Sequence, residues 1–387
     1  MKDTFNREIN YLRVSVTDRC DLRCVYCMKE DMEFLPKSQI LSSEEINDIC
    51  STFIDLGIKK IRITGGEPLI KKGMPIILDY LGKKINNSNL EELTLTTNGT
   101  QLYKYAEVIK KNGIKRINVS LDTLDQKKYL KITRGGNLEQ VLEGLNIAKK
   151  IGLKIKINTV ALKNININEL GKLVHWCINK KFDITFIEVM PMDMENAIRL
   201  EQYYPLTKVR SFLEKQYSLE NTDINTGGPS KYVKIKNSNQ KIGFITPLTN
   251  NFCESCNRVR LTCTGKIYSC LGHNKFIDLK EAVSKNKKEL KNLNNPSTFI
   301  VFGGRISMMQ KKINSKIAKC LCGEIKIKVT GKLRYVINCH CSQCMKSHGN
   351  YAAYTACPED NITFINKRTL KWYKSSNIAK RGFCSRC

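Results

Sequence analysis

The sequence contains no long apolar run. Its first residues, MKDTFNREINYLRVSV, lack the uninterrupted apolar segment of a secretory signal, and no stretch approaches the roughly 18 apolar residues of a membrane span. A soluble, cytoplasmic protein without a membrane partner is therefore expected. Because thiols stay reduced in that compartment, the 17 cysteines indicate metal binding rather than disulfides.

Acidic residues are scarce relative to basic ones. The chain has 36 Asp and Glu against 65 Lys and Arg, which gives a net charge of +29 and would suit a phosphate-rich partner. The lysines, however, are spread over nearly every segment, without interleaved aromatic residues or a single basic tail. This distribution is typical of a biased composition, so no nucleic-acid partner is expected, while a local basic site for a nucleotide triphosphate stays compatible.

Short β-branched runs alternate with amphipathic stretches from residue 11 onward. The six runs are YLRVSVT (11–17), KKIRIT (59–64), ELTLTT (92–97), KRINVSLD (115–122), LKIKINTVAL (153–162) and DITFIEVM (183–190). Between the first two, Ser42 precedes Glu45 by three residues, a capping-box signature for a helix that Gly57 closes. Repeated strand–helix–strand units predict a parallel α/β sheet. The strand count alone leaves open whether the sheet closes into a full or a partial barrel.

The rhythm of strands and helices ends near residue 190. The 387 residues exceed the size of one ordinary core, so a second, smaller domain is expected. Residues 281–319 are rich in Lys and Asn and predict a linker. Eight of the 17 cysteines lie in residues 320–387, among short alternating strands such as EIKIKV. This composition predicts a separate, metal-stapled, all-β module.

The first cysteine group, DRCDLRCVYC, has three thiols at Cys20, Cys24 and Cys27. Three thiolates can hold a 4Fe-4S cluster and leave one iron open to a small molecule. A zinc site would need a fourth ligand, and no histidine or further cysteine lies close by in the sequence. The group follows the first predicted strand, where parallel α/β folds carry their chemistry.

A second group, FCESCNRVRLTCTGKIYSC, has the spacing C-x2-C-x13-C at Cys253, Cys256 and Cys270. Three thiols again suit a cluster with one open iron. The intervening Cys263 is interpreted as a bystander. Arg258 and Arg260 lie between the ligands, and their forked donors suit a phosphate or a purine edge.

These motifs together resemble known families. The first cysteine group, with an aromatic residue before its last cysteine and GGEP (65–68) after the next strand, resembles the radical S-adenosylmethionine (SAM) superfamily, which implies a partial (βα)6 barrel. With SVTDRC, RITGGEPL, TTNG, INVSLD, FIEVM and CNRVRLT, residues 8–275 are similar to the GTP 3′,8-cyclase family, also called molybdenum cofactor biosynthesis protein A.

The resemblance implies a reaction and its cofactors. The 4Fe-4S cluster on the first cysteine group, called cluster 1, would bind SAM and reduce it to a 5′-deoxyadenosyl radical, which takes hydrogen from the ribose 3′ carbon of GTP. The purine would bind to the cluster on the second group, called cluster 2, and the sugar radical would close onto purine carbon 8. The product is (8S)-3′,8-cyclo-7,8-dihydroguanosine 5′-triphosphate, so the chain would be a lyase of molybdopterin cofactor biosynthesis. No single side chain is assigned as catalytic, because the radical is generated at cluster 1.

The resemblance also assigns binding residues and partners. The positions that match the family's SAM contacts are Tyr26, Gly66, Ser120 and Met190. The positions that match its GTP contacts are Arg13, Arg62, Thr96, Lys156, Arg258 and Arg260, with Lys60 as a further candidate. The implied partners are GTP, an electron donor such as flavodoxin or ferredoxin, and a cyclic pyranopterin monophosphate synthase downstream; a homodimer is compatible with them.

Two departures from the family pattern bear on activity. Family members carry an Arg in the RFIE stretch, whereas this chain has Thr185 there. The family chain ends in a free Gly-Gly tail that enters the active site, whereas Gly303 and Gly304 are internal, lie ahead of Arg305 and Met308, and resemble the run-up to that tail rather than the tail itself. Another domain follows them. Impaired GTP cyclisation is therefore expected.

The terminal module resembles glutathione-dependent formaldehyde-activating enzymes and centromere protein V. It has C-L-C-G, C-H-C-S-Q-C and F-C-S-R-C segments. Two distant pairs can close a structural zinc site, and a central triplet can hold a second zinc with an open position. The first set is Cys320, Cys322, Cys384 and Cys387, and the second is Cys339, Cys341 and Cys344. Because the sequence stops at residue 387 where that family continues, the module is expected to be incomplete.

The expected organisation has three parts: residues 1–230 as the radical SAM partial barrel, 231–312 as the second-cluster and GTP-binding region, and 313–387 as the zinc-binding β domain. Two alternatives stay open. One is another radical SAM enzyme that uses its auxiliary cluster on a different substrate. The other is a degenerate fusion whose zinc module, related to carbon-sulfur lyases, is structural.

Overall fold

The computed structural model describes most of the first 280 residues and parts of the C-terminal segment. The described ranges are 7–189, 201–247, 256–268, 276–280, 315–320, 322–330, 337–339, 352–354, 359–374 and 380–386. The chain divides into two compact units, Met1–Ile306 and Ser307–Cys387. No helix in these ranges is both long enough and apolar enough to cross a membrane.

Six parallel strands and their connecting helices form the framework of the first unit. The strands are β1 (Tyr11–Ser15), β2 (Lys60–Thr64), β3 (Glu92–Thr97), β4 (Arg116–Ser120), β5 (Lys154–Ala161) and β6 (Asp183–Glu188). The helices are α1 (Ser43–Asp55), α2 (Met74–Asn87), α3 (Leu102–Lys111), α4 (Gln126–Thr133), α5 (Leu138–Lys150) and α6 (Leu170–Lys180). Short 3-10 helices span Lys37–Gln39, Pro68–Ile70 and Ile167–Glu169. Each strand lies within a predicted run, and the parallel α/β prediction is confirmed.

Further strands extend this sheet at both edges, which the sequence did not predict. After α7 (Leu206–Glu214) come β7 (Leu219–Asn221), β8 (Lys231–Ile235), β9 (Lys241–Ile245), β10 (Arg258–Leu261), β11 (Lys266–Tyr268) and β12 (Phe276–Asp278). β9 pairs parallel with β6, and β10 pairs parallel with β1. The described sheet has the order β12-β11-β10-β1-β2-β3-β4-β5-β6-β9-β8-β7, so strands from both sides of residue 230 share it.

Local chemistry explains where the first helix begins. The Ser42 hydroxyl accepts a hydrogen bond from the Glu45 backbone N–H at 3.1 Å, and the Glu45 carboxylate accepts one from the Ser42 N–H at 2.7 Å. This reciprocal pair is the predicted capping box. The apolar side of α1 then packs into a hydrophobic core shared with the sheet and with α2.

Side-chain alternation along the strands gives the sheet an apolar face and a polar face. In β1, Leu12 and Val14 are fully buried in the core, and in β2 the same is true of Ile61 and Ile63. Each such side chain contributes about 1.5–3 kcal/mol to folding. Because neighbouring residues of a strand point to opposite faces, the residues between these apolar ones share the other face, which carries the candidate site.

The second unit is antiparallel throughout its described strands. These are β13 (Ser315–Lys319), β14 (Ile325–Thr330), β15 (Ile337–Cys339), β16 (Ala352–Tyr354), β17 (Ile362–Lys367), β18 (Leu370–Lys374) and β19 (Lys380–Cys384), with a 3-10 turn at Glu359–Asn361. β13, β14 and β17 form one sheet, while β15 pairs with β16 and β18 with β19. The prediction of a small all-β module is confirmed.

Candidate functional site

The first cysteine group occupies the loop after β1. The Arg23 backbone N–H donates to the carbonyl of Thr133 at 2.9 Å, which ties this loop to the end of α4. Within the loop, the Cys27 N–H donates to the Cys24 carbonyl at 2.8 Å. Cys20 and Cys24 are half-buried, and Cys27 is exposed. The three thiols therefore lie at the carboxyl edge of the parallel sheet.

The sulfurs of the first cysteine group are not all as close together as the ligands of a single zinc ion. The sulfurs of Cys20, Cys24 and Cys27 do not all lie within 4.8 Å of one another, a separation that another group of cysteines among the described residues does reach. Thiolates that share one zinc ion, each about 2.3 Å from the metal, lie about 4 Å apart. In a 4Fe-4S cluster each thiolate binds a different iron, so the sulfurs lie further apart.

Burial disfavours free thiolates in this loop. Desolvation raises the pKa of Cys20 to about 11 and raises the pKa of Cys24 further still. Nearby carboxylates act in the same direction: Asp21 and Glu67 on Cys20, and Asp122 on Cys24. Such thiols are poor nucleophiles, whereas a bound metal deprotonates its thiol ligands. The environment therefore suits metal ligation rather than nucleophilic catalysis.

The GGEP loop packs against the residues that lead into the cysteine loop. The Gly66 N–H donates to the Thr17 carbonyl at 2.7 Å, and the Glu67 N–H donates to the Arg19 carbonyl at 2.8 Å. A Cβ atom on Gly66 would lie 2.1 Å from the Arg19 carbonyl oxygen. Gly66, a predicted SAM contact, is thus also required for close backbone packing.

Glu67 links this loop to the end of β3. Its fully buried carboxylate accepts hydrogen bonds from the backbone N–H groups of Leu69 (3.0 Å) and Asn98 (2.6 Å) and from the Thr97 hydroxyl (2.7 Å). Desolvation nevertheless raises its pKa to about 7. The sequence marked GGEP as a motif but did not predict this bracing role.

The TTNG segment (96–99) supports the first predicted cluster ligand. Asn98 Nδ2 donates to Asp21 Oδ1 at 2.7 Å and lies 3.8 Å from Cys20 Sγ. The Thr100 hydroxyl donates to the other carboxylate oxygen of Asp21. Asp21 is thereby held from two sides, which orients the cysteine that precedes it.

A buried tyrosine–aspartate pair supports the other end of the loop. The Tyr26 hydroxyl donates to Asp122 Oδ2 at 2.6 Å, and the Val160 N–H donates to Asp122 Oδ1 at 2.8 Å. Desolvation raises the pKa of Asp122 to about 6. Tyr26, a predicted SAM contact, is thus fixed beside Cys27. Asp122 was missed, although it ends the INVSLD motif directly after β4.

Three arginines form a row across neighbouring strands. In the parallel register, Arg13 of β1 lies opposite Arg260 of β10 on one side and Arg62 of β2 on the other. Adjacent strands are about 4.8 Å apart, so the three side chains leave the sheet side by side. The row is called the arginine row below. The sequence predicted each residue separately, and the pairing of β10 with β1 brings them together.

Burial and neighbouring cations lower the pKa of two members of the arginine row. The pKa of Arg13 is lowered to about 9, first by desolvation and then by Arg260 and Arg62. The pKa of Arg62 is also lowered, chiefly by burial, while its guanidinium lies 5.6 Å from the centre of the Tyr11 ring. A concentration of half-buried positive charge of this kind favours a multiply charged anion.

Lys156 extends the positive charge along the same face. It is 9% exposed, and its Nζ donates to the Tyr232 hydroxyl at 3.0 Å. Burial lowers the pKa of Lys156, and the ammonium group lowers the pKa of Tyr232. In the register Lys156 lies opposite Asn118, which in turn lies opposite Thr96. The predicted GTP contacts Thr96 and Lys156 are therefore in one cross-strand row.

Arg116 is a cation of this face that the sequence reasoning missed. Its Nε forms an ion pair with Glu92, which also lies 3.6 Å from Lys60 Nζ. Its charge lowers the pKa of both Arg62 and Lys156, which places it near both. The signal was available, because Arg116 precedes Asn118 by two residues in β4 and therefore shares its face.

A second cross-strand row lies two residues further toward the carboxyl edge. Ser120, a predicted SAM contact, lies opposite Asn158, and Asn158 lies opposite Thr185. The Asn158 Oδ1 and Thr185 Oγ1 atoms are buried and have no hydrogen-bond partner within the described residues. Thr185, where the family carries an arginine, is fully buried next to Gly243.

The second cysteine group is described in part. Cys256 lies just before β10, and its sulfur is 4.0 Å from Arg258 Nη2. Cys263 is 6% exposed, which agrees with its interpretation as a bystander in the core. Cys253 and Cys270, as well as the predicted SAM contact Met190, lie outside the described residues.

Three of the four predicted structural zinc ligands converge in the second unit. The Cys322 sulfur lies 3.4 Å from that of Cys320 and 3.6 Å from that of Cys384, and all three are within 4.8 Å of one another. These separations match thiolates on one zinc ion. Cys387 lies outside the described residues, as do the side chains of Cys339, Cys341 and Cys344.

Comparison with known families gives the class of protein first. Residues 14–177 match the Radical SAM superfamily, residues 182–297 match Molybdenum Cofactor Synthesis C, and residues 315–387 match the glutathione-dependent formaldehyde-activating enzymes. Among solved structures, SuiB of Streptococcus suis bound to S-adenosylmethionine covers 77% of this chain and 68% of its own, with a TM-score of 0.57 and 20% identity. The fold is that of a radical SAM protein.

Curated relatives then give the family. The GTP 3′,8-cyclase of Bradyrhizobium diazoefficiens is 52% identical over 290 residues, which cover 75% of this chain and 84% of that relative. The GTP 3′,8-cyclase of Rhizobium etli is 53% identical over 283 residues, which cover 73% of this chain and 81% of that relative. The chain therefore belongs to the GTP 3′,8-cyclase family.

Proposed function

We propose that this chain is a radical SAM GTP 3′,8-cyclase, a lyase that acts in molybdenum cofactor biosynthesis. Family membership supports the reaction, and the arginine row is the single observation that carries the substrate. Three guanidinium groups on adjacent strands match a triphosphate, because each offers fixed charge and forked donors. Although its pKa is lowered to about 9, Arg13 stays protonated at neutral pH.

The polar face also supports the placement of SAM beside GTP. Bound on Cys20, Cys24 and Cys27, a 4Fe-4S cluster would supply the electron that cleaves SAM reductively. Ser120 would contact SAM, and it follows Asn118 by two residues on the same face of β4. The proposed SAM contact Ser120 would therefore lie close to the proposed GTP contacts Thr96 and Lys156, which supports the transfer of hydrogen from ribose.

The second cluster is proposed on Cys253, Cys256 and Cys270, where it would hold the purine. Its support is the match to Molybdenum Cofactor Synthesis C and the position of Cys256 at the start of β10, which carries Arg258 and Arg260. The purine would then lie on one side of the arginine row, with the triphosphate over the row itself.

Anaerobic reconstitution followed by electron paramagnetic resonance (EPR), with and without GTP, tests the proposal. The expected protein holds about eight irons, as two cubane clusters require, and GTP changes one of the two cluster signals. Incubation of the protein with GTP, SAM and a reductant yields the cyclised nucleotide, which is measured by mass spectrometry. Two clusters that cleave SAM, with neither signal affected by GTP, would instead indicate another radical SAM enzyme with an auxiliary cluster.

Substitution within the arginine row tests the substrate contact. Arg13→Gln keeps a polar side chain but removes the charge, so GTP binding weakens by about tenfold or more, since hydrogen bonds to charged groups contribute about 1.5–3 kcal/mol. Lys172→Gln is the matched control, because Lys172 is an exposed cation of α6, which packs on the apolar face of the sheet. Equal affinities of both variants for GTP would contradict the proposed role of Arg13.

Impaired turnover stays a prediction, because Gly303 and Gly304 lie outside the described residues. A Gly-Gly pair, followed by a protease site that is cut directly after the second glycine, is inserted behind residue 312, so that the same protein can be assayed before and after cleavage. Cleavage creates a free Gly-Gly end and is expected to increase product formation. Equal activity of the cut and uncut proteins would show that the lack of a free Gly-Gly end does not limit turnover.

A zinc ion in the second unit is proposed as structural. Cys320, Cys322 and Cys384 supply three converging thiols, and Cys387 is the proposed fourth ligand. Four thiolates close the coordination shell, which leaves no position for a substrate. The second zinc on Cys339, Cys341 and Cys344 stays a separate proposal, supported by the family match alone.

The proposed partners follow from the reaction. Reductive cleavage of SAM consumes one electron, so a donor such as flavodoxin or ferredoxin is needed. The cyclised triphosphate is an intermediate on the way to a pterin, so a cyclic pyranopterin monophosphate synthase would act on it next. A homodimer is proposed on the family resemblance.

A further inference from the structure

Asn118 carries a buried amide that the described residues leave without a partner. It is 1% exposed, and neither Nδ2 nor Oδ1 has a hydrogen-bond partner within the described part of the chain. Buried polar groups are paired in the great majority of cases, and an unpaired one destabilises the fold. An amide with two unpaired ends therefore points to a partner outside the protein.

Asn166 shows that the same fold can satisfy a buried asparagine. It is also fully buried, but its Oδ1 accepts from the Leu162 N–H at 2.8 Å. Its Nδ2 donates to the carbonyls of Val160 at 2.8 Å and Asp122 at 2.9 Å. Both amide hydrogens and the amide oxygen of this side chain are paired within the protein, so burial alone does not explain the lack of partners at Asn118.

The position of Asn118 identifies the region of the ligand that it faces. In the sheet it lies between the proposed GTP contacts Thr96 on β3 and Lys156 on β5. On its own strand it precedes the proposed SAM contact Ser120 by two residues, about 6.6 Å along the same face. Asn118 therefore lies where the nucleotide held by the cations approaches SAM.

The chemistry of an amide selects among the groups of a nucleotide. Ionised phosphate oxygens only accept hydrogen bonds, so a phosphate would satisfy Nδ2 and leave Oδ1 unpaired. A hydroxyl both donates and accepts, so sugar hydroxyls can satisfy both ends. We infer that Asn118 binds ribose hydroxyls of the nucleotide substrate through both amide atoms and holds the sugar toward the SAM site. This inference rests on the proposed function and adds a sugar-reading residue to it.

Nucleotide binding by the reconstituted protein tests the inference without relying on turnover. Isothermal titration calorimetry with GTP, 2′-deoxyGTP and 3′-deoxyGTP compares the wild type with Asn118→Leu, a substitution of similar size that lacks both polar atoms. The wild type is expected to prefer GTP over at least one deoxynucleotide by about tenfold, the effect of leaving a buried polar group unpaired. Asn118→Leu loses that preference, binds GTP about tenfold more weakly, and keeps its melting temperature.

Asn166→Leu is the matched control. It removes a fully paired buried amide, so the melting temperature falls while the preference for GTP over the deoxynucleotides is retained. Should Asn118→Leu fail to fold, Asn118→Ser keeps a hydroxyl that can donate and accept, and it is expected to retain part of the preference.

Two outcomes would overturn the inference alone. One is a wild type that binds all three nucleotides equally. The other is an Asn118 variant that weakens all three by the same factor, which would indicate a phosphate or base contact. A wild type that holds two clusters but binds no GTP would instead overturn the proposed function, and this inference with it.

Discussion

The two cysteine groups described most fully hold their sulfurs in different arrangements. Cys320, Cys322 and Cys384 lie within 4.8 Å of one another, whereas the sulfurs of the first group do not all approach that closely. One set has the spacing of ligands around a single ion, and the other is wider than such a site requires. Ligand geometry therefore separates the two proposed metal sites, which the number of cysteines alone would not.

The surroundings of the two groups differ as much as their geometry. The first group is held by a large core and by buried carboxylates such as Glu67 and Asp122. In the second unit, large apolar side chains such as Ile317 (61% exposed) and Trp372 (57%) remain accessible. Among the described residues of this unit, Val329 is the one hydrophobic residue that is buried. The small core among the described residues of the second unit fits a proposed metal that serves stability, whereas the proposed metal of the first unit serves chemistry.

The largest expected effect comes from the first group. Cys24→Ser removes a ligand whose position is fixed by the end of α4, so cluster 1 is lost and SAM cleavage is abolished. Iron analysis is expected to show about half of the wild-type content, with zinc unchanged. Cys50→Ser is the control, because Cys50 is a fully buried core residue of α1 and its loss leaves the iron content intact. Full iron content in Cys24→Ser would contradict the assignment.

The reciprocal change, in the converging trio Cys320, Cys322 and Cys384, is expected to affect stability. Cys320→Ser breaks the converging trio, so zinc is lost and the second unit unfolds, while iron content and GTP affinity stay at wild-type values. Removal of a structural zinc typically unfolds a small domain outright. Metal analysis together with proteolysis of residues 315–387 measures this, and retention of zinc with a protected second unit would argue against the site.

Local sequence patterns predicted the six central strands well. Their β-branched runs and the Ser42 and Glu45 cap are local signals, and the structure reproduces both. The parallel addition of β10 to β1 was not predictable in this way, since it joins residues 11 and 258 through long-range pairing. A four-residue strand that contains two arginines also gives a weak strand signal.

The candidate site was predicted as residues but not as an arrangement. Family resemblance named Arg13, Arg62 and Arg260, whereas the register showed that they form one row. Arg116 and Asp122 were missed because their roles depend on tertiary partners such as Glu92 and Tyr26. The convergence of Cys320, Cys322 and Cys384 was easier to predict, because close cysteine pairs are recognisable from spacing alone.

A smaller effect should appear in the pH dependence of the first unit. Burial raises the pKa of Glu67 from 4.5 to about 7, so the carboxyl takes up a proton on folding. Its contribution to stability is full below pH 4.5 and is lost as the pH rises to 7. The free energy of unfolding of the wild type relative to Glu67→Gln should therefore fall by about 2 kcal/mol between pH 5.5 and 7.5.

Chemical unfolding of the two proteins at several pH values measures that difference, in which other titrating groups cancel. A difference that is constant with pH would mean that the three donors to Glu67 balance its burial, and one that grows as the pH rises would mean that they outweigh it. The second unit has no comparable buried carboxylate among its described residues, so its unfolding should lack this dependence.

The smallest expected effect concerns hydrogen bonds to sulfur, which both groups receive. Cys20 Sγ accepts from the Leu22 N–H at 3.4 Å and lies 3.8 Å from Asn98 Nδ2, while Cys384 Sγ lies 3.2 Å from the Thr369 hydroxyl. Donors to a cluster ligand raise the reduction potential. Asn98→Ala should therefore keep both clusters but lower the potential of one, and it should slow SAM cleavage by up to about tenfold.

The matching change beside Cys384, Thr369→Val, separates a redox role of hydrogen bonds to sulfur from a structural one. The variant is expected to bind zinc more weakly, because it loses a hydrogen bond to a proposed zinc ligand. Zinc has no accessible redox chemistry, so every EPR signal should stay unchanged. Redox titration of both variants makes the comparison. An unchanged reduction potential in Asn98→Ala would mean that Asn98 only supports Asp21. Loss of the hydrogen bond from Asn98 to Asp21 affects the loop but not the reduction potential of the cluster.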